Sequence, residues 1–247
     1  MSRTTVPGKA TLRVGTSGYQ YPHWRHVFYP KGVPVARWFE HYARHFDTVE
    51  LNSTFYRLPE ASTFAAWRRQ APKGFCYAVK FSRYGSHLRR LLGPEALLER
   101  FFERASALGR TLGPILVQLP PNWRCDVARL EAFLAAAPRR YRWAVEFRDP
   151  RWLCEEVYEV LRRHHAALCL HDMIPDHPAV RTAGWTYVRY HGERYGGCYS
   201  PEQLAAEARR IRGYLNAGCD VFAYFNNDAE GYAVANALDL RRRVLEA

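Results

Sequence analysis

Short stretches rich in β-branched and aromatic residues alternate along this chain with longer stretches whose apolar residues have helical spacing. Strands that alternate with helices are typical of βαβ units, in which the strands form one parallel sheet. Eight stretches are predicted to be strands: Leu12–Ser17, Thr48–Asn52, Phe75–Phe81, Ile115–Leu119, Tyr141–Phe147, Ala167–His171, Trp185–His191 and Val221–Phe225. Eight strand–helix repeats in a chain of about 250 residues predict an α/β fold, a single (β/α)8 TIM-like barrel.

The intervening stretches predict the outer helices, and their ends carry the expected signals. The predicted helices are Ala36–His45, Thr63–Gln70, Glu95–Thr111, Val127–Ala136, Leu153–His164, Glu202–Leu215 and Gly231–Glu246. Ser62 and Asp126 stand where N-cap residues belong, and Gly113 and Gly218 follow predicted helix ends.

The connection between the sixth and seventh predicted strands is different. It is DMIPDHPAVRTAG, which contains Pro175 and Pro178. Because a proline inside a helix costs about 3 kcal/mol, this connection is predicted to be a loop or a single turn. The barrel is therefore expected to have a degenerate or missing helix at this point.

Composition places the chain among ordinary globular proteins, with 48% hydrophobic and 24% charged residues in 247. One domain is expected over residues 1–247, with the barrel over about 11–246. No apolar run is long enough for a transmembrane helix, and the first residues lack an apolar leader. We therefore expect a cytoplasmic protein without a membrane partner. The six cysteines form no CxxC pair and are predicted to be free thiols.

The chain is basic, with 36 basic and 24 acidic residues and a formal net charge of +12. Nucleic-acid affinity is one explanation of such a charge. The other is that arginine pairs cover solvated helix faces, and their scatter along the predicted helices favours this explanation. The oligomeric state does not follow from any of these features.

Polar residues stand at the ends of the predicted strands, where the chemistry of such barrels is located. The candidate catalytic residues are Glu50, Lys80 and Glu146, and the candidate ligand-binding residues are Ser17, Tyr19, Asn52, Tyr56, Gln118, Arg148, His171, Arg189, His191, Asn226 and Asn227. Glu50, Lys80 and Glu146 alternate with bulky apolar residues that suit the contact with the helices, so they are predicted to point into the barrel mouth. Two interpretations stay open: a ligand-binding mouth, and a structural plug of buried ion pairs.

No metal or other cofactor is expected. The strand-end residues show no HxH or HExxH spacing, and Lys80 and Arg189 would repel a divalent cation. No GxSxG, P-loop or GxGxxG motif follows a predicted strand. Glu50 and Glu146 could form the carboxylate pair of a glycoside hydrolase if their side chains converge.

The loops at these strand ends carry glycines, aromatic residues and cations. The stretch HGERYGGCYS after the seventh strand predicts an anion site near Arg189, His191 and Gly196-Gly197, or simply a turn. Tyr21, Trp24, Trp123, Trp152, Tyr195 and other aromatic residues follow the strands, with Arg25, Arg57, Arg83, Arg151 and Arg194 near them. Interleaved rings and cations suit stacking on bases or sugars, although packing of most rings into a second core is the favoured interpretation.

Seven stretches in order resemble one known family. They are VGTSGYQYPHW, FDTVELNSTFYRLP, FCYAVKFSRYGSH, LVQLPPNW, YRWAVEFRDPRW, VRYHGERYGGCYS and AYFNNDAEGYAVANAL. The chain resembles the YecE-like family, domain of unknown function 72, over about Leu12 to Leu240. The resemblance implies a TIM-like barrel in the cytoplasm and implies no activity. The family's motif positions fall on Gly15, Ser17, Gly18, Glu50, Asn52, Tyr56, Lys80, Gln118, Glu146, Arg148, His191, Gly192, Asn226 and Asn227.

Two functions are carried forward. In the first, the protein binds or converts a small polar or phosphorylated, sugar- or nucleotide-like ligand. Glu146 acts as general acid/base, Lys80 and Arg189 hold the anion, and Glu50 and Asn52 orient the ligand. In the second, a nuclease-like barrel binds nucleic acid with its basic aromatic rim. The reaction class is not assigned.

The charge state of Glu146 follows from a count of formal charges at the strand ends. Three cations, Lys80, Arg148 and Arg189, face two glutamates, Glu50 and Glu146. A cation close to a carboxylate favours its ionised form. Glu146 is therefore predicted to be ionised at neutral pH and paired with a basic side chain.

Overall fold

The computed structural model describes residues 10–192 and 196–246. Its eight strands are Leu12–Thr16 (β1), Thr48–Leu51 (β2), Cys76–Lys80 (β3), Leu112–Gln118 (β4), Trp143–Glu146 (β5), Ala167–His171 (β6), Trp185–Tyr190 (β7) and Asp220–Phe225 (β8). All eight predicted strands are confirmed, with small shifts at their ends. Their order in the sheet is β1-β8-β7-β6-β5-β4-β3-β2.

Helices alternate with these strands. They are Trp38–His45 (α1), Ser53–Tyr56 (α2), Ala61–Gln70 (α3), Pro94–Ala105 (α4), Val127–Ala136 (α5), Glu155–Arg163 (α6), Pro201–Asn216 (α7) and Tyr232–Leu245 (α8). The fold is a (β/α)8 TIM-like barrel, as predicted. Residues 172–184 are all described and form no helix between β6 and β7, which confirms the expected irregular connection.

The chain divides into two compact units by its internal packing. The first comprises Met1–Glu50, Pro72–Phe75 and Gly184–Ala247, and within it β8 pairs in parallel with both β1 and β7. The second comprises Leu51–Ala71 and Cys76–Ala183, and within it β3, β4, β5 and β6 pair in parallel in that order.

Two helix-end predictions are correct. The Asp126 side chain accepts a hydrogen bond from the Arg129 backbone N–H at 3.0 Å and caps α5. Gly218, which follows α7, has a φ of 74°. The helix end therefore uses the left-handed backbone that glycine adopts without strain.

The prediction for Ser62 is wrong. Helix α3 begins at Ala61, after the extended residue Glu60, so Ser62 lies in the first turn and is not the N-cap. The prediction for Gly113 is right in position, since a helical segment ends at Thr111, but wrong in its reason. Gly113 lies inside β4, where a Cβ would collide with the Cys76 Sγ, so the glycine permits close approach to β3.

Two of the short elements that were not predicted lie in the second unit and matter for the site. Helix α2 follows β2, and a π-helical turn over Tyr84–Leu88 follows β3. Both are shorter than the two helical turns that a periodic apolar pattern needs to become visible. They position Phe55 and His87, which take part in the site described below.

Most of the loop aromatics belong to packed cores, as the favoured interpretation predicted. Trp24 and Trp152 have no exposed surface, and Tyr19 is 5% exposed. Tyr56 is the clear contrast, with 77% of its surface exposed. Arg194 and Tyr195 lie outside the described residues. No helix in the described ranges has the length and apolar character needed to cross a membrane.

Candidate functional site

The first candidate cluster lies in the first unit and centres on Glu50, at the end of β2. Its carboxylate is fully buried and forms an ion pair with Arg189 of β7, with 2.8 Å between Oε1 and Nη2. Tyr187 donates its hydroxyl hydrogen to Oε2 at 2.6 Å, and Ser17 donates to Oε1. Both carboxylate oxygens therefore have donors, and this saturation offsets the cost of burying the charge.

His191 completes this cluster beyond the end of β7. Its Nε2 lies 3.2 Å from Nη1 of Arg189, and both side chains are buried. Because a guanidinium can only donate, Nε2 must accept, which assigns the proton of the neutral ring to Nδ1. Burial, and next the charge of Glu50, raise the pKa of Tyr187 well above its usual value, so that hydroxyl stays a donor.

The second cluster lies in the second unit and centres on Glu146, the last residue of β5. Arg148 donates from Nε to its Oε1, and the Cys169 thiol lies 3.9 Å from Oε2. Glu146 has no exposed surface, and the Arg148 side chain is 10% exposed. The structure thus places a basic partner on Glu146, as predicted, and a guanidinium in contact favours the ionised carboxylate.

Lys80, the last residue of β3, belongs to the same unit. It is 7% exposed, and its Nζ lies 4.3 Å from the centroid of the Phe55 ring. The His87 ring meets Phe55 edge-on, with 4.9 Å between the centroids. A cation over a ring face is attracted by the ring quadrupole, so α2 supplies part of the environment that holds Lys80.

The pKa of His87 is lowered to about 4. Burial is the largest cause, followed by the charges of Lys80, Arg83 and Arg148, which together outweigh the opposing effect of Glu146. His87 is therefore neutral at pH 7 and can both donate and accept. We call Lys80, His87, Glu146 and Arg148 the strand-end cluster.

We expect an NMR titration to place the His87 pKa near 4 and to move it upward in Lys80→Met, because this substitution removes a nearby cation. In the unfolded state this histidine takes up a proton near pH 6.5, whereas in the folded state it does so only near pH 4. The free energy of unfolding therefore decreases as the pH falls from about 6.5 to 4. His87→Phe should flatten that part of the stability profile. The same His87 pKa in the parent and in Lys80→Met would contradict the assignment.

The remaining predicted residues of the second unit are dispersed. Gln118 pairs in register with Glu146 at the ends of β4 and β5 and is half-buried. Nε2 of His171 lies 2.8 Å from the Phe147 carbonyl oxygen, so this ring ties together the ends of β5 and β6. Asn52 is half-buried just before α2, and Tyr56 projects from the end of α2.

The remaining predicted residues of the first unit mostly hold the backbone. Tyr19 packs against Phe39 and Tyr42 in an aromatic cluster. Asn226 donates its backbone N–H to the Tyr190 carbonyl at 2.7 Å, and Asn227 donates from Nδ2 to the Gly197 carbonyl at 2.8 Å. Ligand contact by any of these residues stays a prediction.

Part of the glycine-rich loop lies outside the described residues, which resume at Gly196. Gly192, before the gap, has a φ of 66°, and a Cβ there would lie 2.5 Å from the Gly197 carbonyl oxygen. The Asn227 side chain also donates to Asn236 at 2.9 Å. These contacts fix the two ends of the loop against each other, and the predicted anion site at Gly196-Gly197 stays a prediction.

Three residues of the two clusters were not among the predicted site residues. Tyr187 lies two residues before Arg189 on the same face of β7, so strand alternation could have indicated it. Cys169 precedes His171 by two on β6 and is accessible to the same argument. His87 depends on the π-helical turn, for which the sequence pattern gives no signal. In the described ranges, no group of three or more His, Cys, Asp or Glu side chains is arranged to hold a metal ion.

The fold and these two clusters define the class of protein: a (β/α)8 barrel with buried glutamate–arginine ion pairs at the ends of its strands. The chain belongs to the family described as "Protein of unknown function DUF72", whose model matches residues 13–247.

Two curated relatives illustrate the family. The UPF0759 protein YecE of Escherichia coli K12 is 33% identical over 145 residues, which is 58% of this chain and 52% of YecE. The chain thus aligns with about half the length of YecE. The UPF0759 protein YunF of Bacillus subtilis is 25% identical over 252 residues, covering 84% of this chain and 86% of YunF.

Solved structures of the family share the fold. A DUF72 family protein from Thermotoga maritima has a TM-score of 0.85 and 29% identity, covering 96% of this chain and 99% of its own. One from Enterococcus faecalis has a TM-score of 0.80 and 19% identity, with 95% of each chain covered. The second similarity concerns the fold alone.

Proposed function

We propose that the protein binds a small anionic ligand, of the phosphorylated sugar-like class, at the strand-end cluster. The observation that carries the proposal is the excess of positive charge there. Three cations, Lys80, Arg83 and Arg148, and one carboxylate, Glu146, act on the His87 ring, which is itself neutral, so the positive charges acting on the ring outnumber the negative ones by three to one. A bound anion would neutralise this excess in a place where water screens it poorly.

The residue types fit the recognition of a phosphate and of neighbouring hydroxyl groups. Lys80 is a compact cationic donor at the end of β3, and neutral His87, whose Nδ1 lies 3.0 Å from the Ser86 Oγ, keeps Nε2 to accept from a ligand hydroxyl. Charge-assisted hydrogen bonds from such donors are about twice as strong as neutral ones. Recognition of an anion would therefore depend mainly on Lys80, with His87 adding selectivity for hydroxyl groups.

Glu146 has a distinct role in this proposal. Contact with Arg148 keeps the carboxylate ionised, so it acts as an acceptor for ligand hydroxyls, and a proton-donor role is disfavoured. If the protein is an enzyme, Glu146 is the base that takes a proton from the ligand, and Lys80 stabilises the negative charge that develops. In the first unit, Arg189 has Glu50 as its partner, and this proposal gives the anion-holding role to Lys80.

Isothermal titration with glucose 6-phosphate, inorganic phosphate and glucose tests the proposal. We expect the two phosphates to bind and glucose to bind far more weakly. Lys80→Met should lower phosphate affinity by roughly 10–100-fold, because a hydrogen bond to a charged group contributes about 1.5–3 kcal/mol. Lys80→Arg should retain part of the affinity.

The matched control is Lys73→Met, because Lys73 is an exposed lysine of the same chain. It should leave phosphate affinity unchanged. Thermal melts of both variants establish that each one folds. Equal losses in Lys73→Met and Lys80→Met would overturn the proposal, as would a parent protein that binds neither phosphate.

A further inference from the structure

A groove in the second unit lies beside α2, the π-helical turn and α4. It has a volume of about 280 Å³, and its lining includes Phe55, Tyr56 and Tyr84 together with Arg57, Arg100 and Arg104. None of these residues belongs to the strand-end cluster, although the Phe55 ring contacts Lys80 and His87 of that cluster. With Phe101, which also lines it, the groove combines four aromatic rings with three guanidinium groups.

The two tyrosine rings of the groove are accessible to a ligand, whereas Phe55 is buried. Tyr56 is 77% exposed and Tyr84 is 43% exposed, although tyrosines are usually half-buried or more. Phe55 meets Tyr56 edge-on, with 5.1 Å between their centroids. Exposed ring faces of this kind bind other flat ring systems by stacking.

The guanidinium groups are not equivalent. Arg104 bonds to Glu60 at 2.8 Å and to the Leu58 carbonyl at 3.1 Å, so its charge is partly compensated. Among the residues that the structure describes, neither Arg57 nor Arg100 forms an ion pair. The carbon centre of the Arg100 guanidinium lies 5.3 Å from the Tyr84 centroid. A guanidinium over an aromatic ring keeps donors at its edge, which suits a phosphate beside a stacked ring.

We propose that this groove binds a nucleoside monophosphate, with its base stacked on the exposed tyrosines and its phosphate held by Arg57 and Arg100. The two kinds of side chain match the two halves of a nucleotide, a flat ring system and an anion. The volume, about 280 Å³, lies just below the usual range of small-molecule sites, roughly 300–1,000 Å³. It suits one base with its phosphate, which favours a free nucleotide over a strand.

Isothermal titration at low salt with AMP, UMP, adenosine and ribose 5-phosphate tests this proposal. We expect AMP and UMP to bind, since every base has a stacking face. Adenosine and ribose 5-phosphate should each bind at least about tenfold more weakly than AMP, because each lacks one of the two halves. Adenosine binding as tightly as AMP would overturn the proposal. Ribose 5-phosphate binding as tightly as AMP would also overturn it if that binding falls in Arg100→Gln, because binding that this variant leaves unchanged belongs to the strand-end cluster.

Three variants assign the binding to the groove. Tyr84→Leu and Arg100→Gln should each weaken AMP binding by about tenfold or more, because they remove a ring and a cation. Arg110→Gln changes an exposed arginine outside the groove and should leave AMP binding unchanged. Equal effects of all three would indicate nonspecific attraction and would contradict the site.

Two further titrations distinguish a free nucleotide from macromolecular ligands. A ten-residue deoxyadenosine strand that binds far more tightly than AMP would replace the proposal with a single-strand surface. A glutamate-rich peptide that displaces AMP at equal concentration would replace it with an acidic-peptide surface. We expect neither result. Arg100→Gln leaves the strand-end cluster intact, so ribose 5-phosphate bound at that cluster should keep its affinity in this variant while AMP loses about tenfold or more. Equal losses of both ligands would contradict the separation of the two sites.

Discussion

Glu146→Gln is expected to lower the free energy of unfolding by roughly 3 kcal/mol, because it leaves the guanidinium of Arg148 without the charge that compensates it. This is the lower end of the range for breaking a buried pair, since the Arg148 side chain is 10% exposed. For a chain of this size the change corresponds to a fall in Tm of about 6–12 °C. Differential scanning calorimetry at neutral pH measures it.

The matched control is Glu155→Gln, which breaks an ion pair with Arg162 on the surface of α6. Both side chains of that pair are largely exposed, and such pairs contribute about 0–1 kcal/mol. The Tm should therefore change little. An unchanged Tm in Glu146→Gln would show that the residue is neither paired nor structural, and the role of proton donor would then be the better assignment.

Much of the fold could be predicted because the physical signals that specify it are local. Strands of five or six residues with β-branched and aromatic side chains, such as Trp185–Tyr190, are visible in the sequence itself. Pro175 and Pro178 exclude a helix between β6 and β7 through their own backbone geometry, which does not depend on contacts with other parts of the chain. Where the reason is tertiary, prediction failed. Gly113 is a glycine because Cys76 on another strand approaches it.

The candidate site could likewise be predicted only in part. Which residues stand at strand ends follows from chain order and strand alternation, and so Glu50, Lys80 and Glu146 could be singled out. Which cation each glutamate takes does not follow, because Arg189 and Arg148 are both at strand ends and the choice depends on distances. Glu146 takes a cation two residues away, whereas Glu50 takes one 139 residues away.

His87 shows the limit of the residue pattern. Its lowered pKa requires the π-helical turn that brings the ring against Phe55, and a single five-residue turn leaves no periodicity to detect. The groove beside α2 depends on a second short element of the same kind. Short elements after strands are thus where this barrel carries features that a sequence pattern does not disclose.

Arg189→Met is expected to have the largest effect on stability and to lower the free energy of unfolding by roughly 3–5 kcal/mol. It leaves the carboxylate of Glu50 without its cation in a site without exposed surface. Glu50→Gln with Arg189→Met should be more stable than Arg189→Met alone. The amide oxygen of Gln still accepts from Tyr187, and no unpaired charge remains buried. Urea unfolding of the parent, both single variants and the double variant gives the coupling energy, which we expect to be about 2 kcal/mol.

The equivalent cycle on Glu155 and Arg162 should give a coupling energy below about 1 kcal/mol, because water screens that exposed pair. The sign of the difference between Arg189→Met and the double variant decides the physical cause. If the double variant recovers stability, the cost of Arg189→Met comes from an uncompensated buried charge. If the two single effects simply add, the cost comes from lost packing around Tyr187 and His191, and the account of Glu50 as a carboxylate stabilised by its donors is wrong.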